Sequence, residues 1–387
     1  LTKFIELGLS KPISAALNDM GFTQPTEIQD KTIPHILSGL DVLASAQTGS
    51  GKTAAYALPI IECLDEPESK PRALILAPTR ELALQVEKQF QMFAKYSKLR
   101  AVTVYGGSGY EKQTRELKRG VDIVVATPGR LLDLVENKIC DLSCVEILVL
   151  DEADRLLDMG FMPQVRKVIS KLSPERQTLM FSATIDRRVE HLAREFQMNP
   201  ITVRANSAHI EPAEIEQKLF NINEFGKDAL LAQLIRDENM DSVLVFTRTR
   251  RRATWVMNRL RDAKIMAEEI HGDISQSQRE KTLANYRSGT FAVLVATDVA
   301  ARGLDIPSIT HVVNYDLPDS PEDYVHRIGR TGRAGRSGVA FSFVSEEQRH
   351  LIRDIEKITG RILDPNGQPK KATLARRTSS PRRRRLV

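Results

Sequence analysis

The first half of the chain alternates short, almost wholly apolar runs with longer segments in which apolar residues recur at helical spacing. The runs are "DVLASA" (41–46), "ALILAP" (73–78), "AVTVYGG" (101–107), "VDIVVAT" (121–127), "EILVLDE" (146–152) and "TLMFSAT" (178–184). Between them lie segments such as "TRELALQVEKQFQMFAKYS" (79–97). Strands that are apolar on both sides and separated by helices predict a parallel sheet with helices on both faces. The pattern then repeats with "SVLVFTRT" (242–249), "FAVLVATD" (291–298), "HVVNYD" (311–316) and "GVAFSFV" (338–344). The polar stretch "RANSAHIEPAEIEQ" (204–217) breaks the periodicity and predicts a connection between two α/β domains. The expected organisation is a first domain over 1–207, a linker over 208–215, a second domain over 216–365 and a tail over 366–387. The tail lacks apolar periodicity and is expected to be disordered.

Composition agrees with this plan. A length of 387 residues exceeds one ordinary domain, and 41% hydrophobic with 27% charged residues is a globular balance. No window approaches the 18 apolar residues of a membrane span, and the first residues, which begin at Leu1 as in a trimmed chain, do not resemble a signal peptide. Three scattered cysteines, Cys63, Cys140 and Cys144, exclude a disulfide framework and argue for a reducing cytoplasm. The net charge of +6 is unevenly placed: residues 370–387 hold eight Lys or Arg and no acid, leaving 48 basic against 50 acidic side chains in the rest. A nucleic-acid grip in the body therefore depends on local placement, while the tail reads either as a solvated basic run or, favoured by the body's near neutrality, as a nonspecific RNA anchor.

Two stretches carry chemistry. "ASAQTGSGKT" (44–53) follows a strand-like run and precedes a helical one, the context of a phosphate-binding loop. Gly49 and Gly51 let the backbone curl so that its N–H groups face phosphates; Lys52 adds a point charge and the Thr53 hydroxyl is a ligand for Mg²⁺. Ala46 stands where the usual loop has its first glycine. The second stretch is "VEILVLDEADRLLDMGF" (145–161), an apolar run ending in adjacent acids. Carboxylates at a strand end are costly unless a cation meets them. Alone they would also suit the cap of a following helix. Beside a phosphate loop, Asp151 suits holding Mg²⁺, partly through water, and Glu152 suits orienting an attacking water.

"DEAD" (151–154) with "AQTGSGKT" resembles the DEAD-box family of RNA-dependent ATPases and helicases. The other motifs follow in the family's order: "GFTQPTEIQ" (21–29), "PTREL" (78–82), "GG" (106–107), "TPGR" (127–130), "SAT" (182–184), "VLVFTRT" (243–249), "QSQR" (276–279), "ATDVAARGLD" (296–305) and "HRIGRTGR" (326–333). The resemblance covers residues 4 to about 350 without a large insertion, and Ala46 is the family's usual choice. It implies two tandem RecA-like domains, each a mostly parallel sheet with helices on both faces. Within the family, three stretches look closest to the bacterial RhlE-type subgroup, which implies ribosome assembly or RNA turnover as the setting, with ribosomal or RNA-decay proteins as partners.

The resemblance also implies roles. In the ATP site, Gln29 reads adenine through a two-pronged amide contact and Phe4 stacks on the base, although Phe4 taken alone reads as a core aromatic. Ala46, Gln47, Thr48, Gly49, Ser50, Gly51, Lys52 and Thr53 form the phosphate loop, with Gly303 and Asp305 on the sugar and phosphate side. Arg330 and Arg333 are implied arginine fingers, suited by the guanidinium fork, in the motif that His326 opens. Asp154, Ser182 and Thr184 are implied to form a hydrogen-bonded link between neighbouring strands. Pro78, Thr79, Arg80, Gly107, Thr127, Pro128, Gly129 and Arg130 in the first domain, and Thr247, Arg248, Arg279, Thr297 and Asp298 in the second, match positions on the RNA backbone. Such contacts read little sequence.

The implied activity is RNA-stimulated ATP hydrolysis in which ATP and RNA each bridge the domains and closure bends one RNA strand. Two rivals stay open at this point. One is a DNA translocase on the same pair of domains, separated by RNA against DNA stimulation. The other is an ATP-dependent RNA clamp without unwinding, separated by a strand-displacement assay.

Overall fold

The computed structural model describes residues 3–46, 49–64, 66–107, 109–205, 215–238, 240–301, 309–332, 337–359, 361–363 and 370–371. The chain forms two compact units, Leu1–Ile210 and Glu211–Val387. The first holds strands β1 (Val42–Ser45), β2 (Ala73–Leu76), β3 (Ala101–Val104), β4 (Ile123–Ala126), β5 (Ile147–Leu150), β6 (Gln177–Ser182) and β7 (Ile201–Arg204). The second holds β8 (Ile215–Asn221), β9 (Val243–Thr247), β10 (Ala267–Ile270), β11 (Val293–Thr297), β12 (His311–Asn314) and β13 (Gly338–Val344).

The first sheet has the order β3-β4-β2-β5-β6-β1-β7 and the second β10-β11-β9-β12-β13-β8. Every pairing in both is parallel. Successive strand side chains point to opposite faces, so each apolar run feeds two cores. In β2, Ala73 and Ile75 join one cluster while Leu74 and Leu76 join the other. In β9, Val243 and Val245 face one way and Leu244 and Phe246 the other. Both faces are buried, which is why these strands carry no polar alternation.

Three strands escaped the pattern: β7 ("ITVR"), β8 ("IEQKLFN") and β10 ("AEEI"). All three are edge strands. β7 and β10 keep only part of their side chains buried, and so does β8. Ile215, placed in the linker by the sequence, opens β8. Within the tail, Lys370–Lys371 pairs antiparallel with Arg361–Ile362. The rest of 366–387 lies outside the described residues.

Because the strands are parallel and in register, their carboxyl ends come level. Leu76 pairs with both Ala126 and Leu150, and Ser45 pairs with Ser182. The residues just past those ends are therefore neighbours, and open α/β sheets bind ligands there.

Candidate functional site

Within the first unit, the segments after β1, β5 and β6 build one site. Beyond β1 the backbone turns through Gly49 (φ 86°) and Gly51 (φ 90°) into helix Lys52–Cys63. These left-handed values favour glycine, and Gly51 has a second reason: a Cβ there would overlap Nε2 of Gln29. The Gln29 amide is committed at both ends. Its Nε2 donates to Gly51 O (3.1 Å) and its Oε1 accepts from Thr26 N (2.9 Å). Thr26 Oγ1 donates to Ser50 O (2.8 Å), so the "PTEIQ" segment is buttoned to the loop by two bonds. Lys52 Nζ is buried and donates to Ala46 O at 2.8 Å, folding back across the loop. Gln47 and Thr48 lie outside the described residues. Phe4 is 6% exposed and sits inside the apolar cluster with Leu7 and Leu9.

Asp151, Glu152 and Asp154 are all buried at the end of β5. Asp151 Oδ2 accepts from Tyr56 Oη at 2.8 Å and Oδ1 accepts from Glu152 N at 3.0 Å. Burial, joined by the neighbouring Glu152 charge, pushes the Asp151 carboxyl up to about 6 despite Lys52 and these hydrogen bonds. Burial and the Asp151 charge likewise push the Tyr56 phenol well above its ordinary range. Glu152 has φ 50° and ψ 54°, a left-handed residue between β5 and helix Ala153–Asp158. That turn separates the two acids: Asp151 meets Tyr56, whereas Glu152 Oε2 accepts from Arg155 Nη1 at 2.8 Å.

Asp154 does link β5 to the segment after β6, but through the backbone. Its Oδ2 accepts from Ala183 N (3.2 Å) and Thr184 N (3.4 Å). Ser182 Oγ, expected in this link, is buried without a partner among the described residues, as is Ser50 Oγ on the phosphate loop. The reason is register: Ser182 closes β6 opposite Ser45, so the acceptor reaches the two amides that follow.

On the other side of the same sheet edge, the segments after β2, β3 and β4 carry the residues expected on RNA. Thr79 caps helix Arg80–Phe93 by accepting from Leu82 N at 3.2 Å, just after Pro78. The Arg80 guanidinium lies over Gly107 (φ 78°), where a Cβ would overlap it. Thr127, Pro128 and Gly129 begin helix Pro128–Glu136, and Arg130 sits 5.2 Å from the Tyr110 ring. The result is a shelf of small residues and backbone flanked by two arginines.

The second unit gathers its residues in the same way past β9, β11 and β12. Asp316 is the hub. Its Oδ2 accepts from Arg248 N (2.9 Å), its Oδ1 lies 3.5 Å from the fully buried Lys227 Nζ, and its carbonyl accepts from Arg327 Nη1 (2.6 Å). Arg327 also donates Nε and Nη2 to the Asp298 carboxylate, both at 2.6 Å. Thr247 Oγ1 donates to Ala296 O at 3.5 Å and Thr297 is buried beside it on the neighbouring strand. Arg279 Nη2 donates to Ala300 O at 2.6 Å. His326 and Arg330 line a small cavity with Asp298 and Arg327. Gly303, Asp305 and Arg333 lie outside the described residues.

Residues of these sites that went unread in the sequence include Thr26, Tyr56, Arg155, Lys227, Asp316 and Arg327. Spacing could have found two of them. Tyr56 follows Lys52 by four and Arg155 follows Glu152 by three, the separations that share a helix face. Among the described residues, no group of three His, Cys, Asp or Glu side chains could hold a metal unaided, and no helix is long and apolar enough to cross a membrane.

Comparison with known proteins agrees with this geometry. Residues 26–192 match the DEAD/DEAH box helicase family and residues 226–335 match the helicase conserved C-terminal domain. The chain is 46% identical to the RNA helicase CrhR of Synechocystis sp. over 91% of its length and 72% of that protein's. It is 43% identical to the ATP-dependent RNA helicase CshA of Listeria monocytogenes, covering 95% of this chain and 71% of that one. Among solved structures, S. cerevisiae Dbp5 bound to RNA and ADP BeF3 superposes with a TM-score of 0.84 at 33% identity, covering 93% of this chain and 94% of that one. The chain belongs to the DEAD-box family of ATP-dependent RNA helicases.

Proposed function

We propose that this protein hydrolyses ATP in response to RNA, and thereby separates short RNA duplexes or remodels RNA–protein complexes. The observation that carries the reading is the pair of adjacent buried acids, Asp151 and Glu152, turned apart by the left-handed backbone of Glu152 itself, beside a glycine turn that ends in Lys52. Relatives named ATP-dependent RNA helicases support it.

The chemistry of the loop mouth fits a nucleotide with Mg²⁺. Asp151 is a carboxyl that burial and the neighbouring Glu152 charge push up, and Ser50 Oγ and Ser182 Oγ are buried polar atoms without partners among the described residues. Thr53 and Asp151 would hold the ion through hard oxygen donors, with water completing its shell. Bound there, Mg²⁺ supplies charge that offsets the charge developing on the phosphates. The chain's own groups do the rest. Lys52 leaves Ala46 O for the phosphates, and Gln29, already bonded to the loop, couples base recognition to loop shape. Glu152 orients the attacking water. Arg330 and Arg333 meet the γ-phosphate, worth about 10³ to 10⁵ in rate.

RNA lies on the Arg80–Gly107–Arg130 shelf of the first unit and on Arg248, Arg279, Thr297 and Asp298 of the second. ATP and RNA then favour the same closed arrangement, so each raises affinity for the other. A bacterial cytoplasm, with ribosome assembly or RNA turnover, is the setting we infer. A strand-displacement assay on a short RNA duplex tests the reading. ATP-dependent separation supports it; RNA-stimulated hydrolysis without separation would reduce the protein to a clamp.

A further inference from the structure

The helix after β9, Arg250–Asp262, carries five arginines against one acid, and with them the chain's single tryptophan. Trp255 is 41% exposed, although its ring is bracketed by the guanidinium groups of Arg252 (5.1 Å) and Arg259 (6.0 Å). Arg252 is itself fixed: it lies 5.2 Å from the Tyr315 ring and is paired with Glu224. The residue after that glutamate, Phe225, is 95% exposed, the most open large apolar side chain among the described residues. One exposed aromatic, Trp255, thus lies against an immobilised arginine, and a second, Phe225, follows the glutamate that pairs with it. A buried-core role explains neither, because a core aromatic would not leave so much ring in water.

The surface is continuous with the Asp316 corner. Arg252 Nε lies 3.9 Å from Asp316 Oδ1, and the other oxygen of that carboxylate accepts from Arg248 N. We propose that this patch is a stacking platform for single-stranded RNA, extending the nucleic-acid path beyond Arg248. One base stacks on Trp255 or Phe225 while Arg251 and Arg259 meet the adjoining phosphates.

RNA is favoured over a protein partner by the combination present. Arginine beside a presented aromatic ring suits a base and its phosphate together, and such stacking tolerates any sequence. Arg259 is shared with Asp228 and Asp262, and Arg250 with Asp273. The Asp262 and Asp273 side chains are 73% and 61% exposed, and such surface pairs are weak enough for a phosphate to displace, whereas the Asp228 side chain is 17% exposed and holds Arg259 beside the Trp255 ring.

The proposal rests on the RNA reading above, and one experiment separates the two. The full chain is titrated with oligouridylates of about 5 and about 15 nucleotides, lengths spanning the usual single-strand site sizes. Binding is followed by anisotropy and, through the only tryptophan, by intrinsic emission. The longer RNA should bind more tightly and quench Trp255. Trp255→Ala, and independently the fully surface-exposed Phe225→Ser, should reduce the preference for the longer RNA about 5- to 100-fold, the loss expected for one stacked base. Binding of both RNAs with unchanged Trp255 emission, and a preference retained in both variants, overturns the platform and leaves the patch to a protein partner. Failure of either RNA to bind overturns the RNA reading itself.

Discussion

Tyr56 donates its phenolic hydrogen to Asp151 Oδ2 across 2.8 Å, and both side chains are buried, one on the first helix after the phosphate loop and one at the end of β5. The bond does not rescue the carboxyl from burial, which still pushes it up to about 6. The consequence for stability has a definite sign. A raised carboxyl binds its proton more tightly in the folded chain, so its contribution is full below the unfolded value near 4 and is lost as pH rises through about 6. The nucleotide-free protein should lose about 1 to 3 kcal/mol between pH 4 and pH 7 from this group. Asp151→Asn should flatten that fall while abolishing ATPase activity. Urea titrations across the pH range check it; parallel curves for the two proteins would contradict it.

Gly51 holds φ 90° against the Gln29 amide. Gly51→Ala adds backbone strain and drives a methyl group into the Gln29 Nε2 contact, at a cost of about 1 to 3 kcal/mol. Nucleotide affinity should drop by at least about tenfold while RNA-independent folding of the second unit is untouched. Fluorescent-nucleotide binding and a thermal melt measure the two effects.

Glu152 and Arg155 form a buried ion pair, with side chains 11% and 5% exposed. Removing one partner strands the other, so Arg155→Met should cost about 3 to 5 kcal/mol of stability. Glu152→Gln in the same chain should recover much of it, because the pair is then replaced rather than broken. A double-mutant cycle by chemical denaturation reads the coupling. Additive losses would mean that the pair carries no net interaction.

Lys227 is fully buried against Asp316 (3.5 Å) and Glu224 (2.5 Å). Lys227→Met should destabilise the second unit by about 3 to 5 kcal/mol. By loosening Asp316 it should also weaken RNA affinity, since that carboxylate accepts from Arg248 N. Lys227→Arg, which keeps the charge, should restore affinity more than stability.

What the sequence disclosed follows from burial. Strands covered on both faces, such as "ILVL" (147–150) and "VLVFT" (243–247), have no polar side and stand out. Edge strands β7, β8 and β10 need no such run, so "AEEI" (267–270) looks like loop or helix. At the site, residue type announced the acids and the phosphate loop, because few folds tolerate Asp-Glu after an apolar run. It could not announce partners. That Asp154 reaches backbone amides rather than the Ser182 hydroxyl, and that Arg327 grips Asp298, depend on strand order and register, which bring together segments far apart in the chain.

The central claim is that RNA controls ATP hydrolysis through the Asp151–Glu152 site. The most direct measurement is the steady-state ATPase rate of the full chain with and without saturating single-stranded RNA, beside the Glu152→Gln variant. We predict a rate that rises with RNA at least about tenfold, and a variant that binds ATP and RNA yet turns over at background. Equal rates with and without RNA, or a variant that still turns over, would contradict the account.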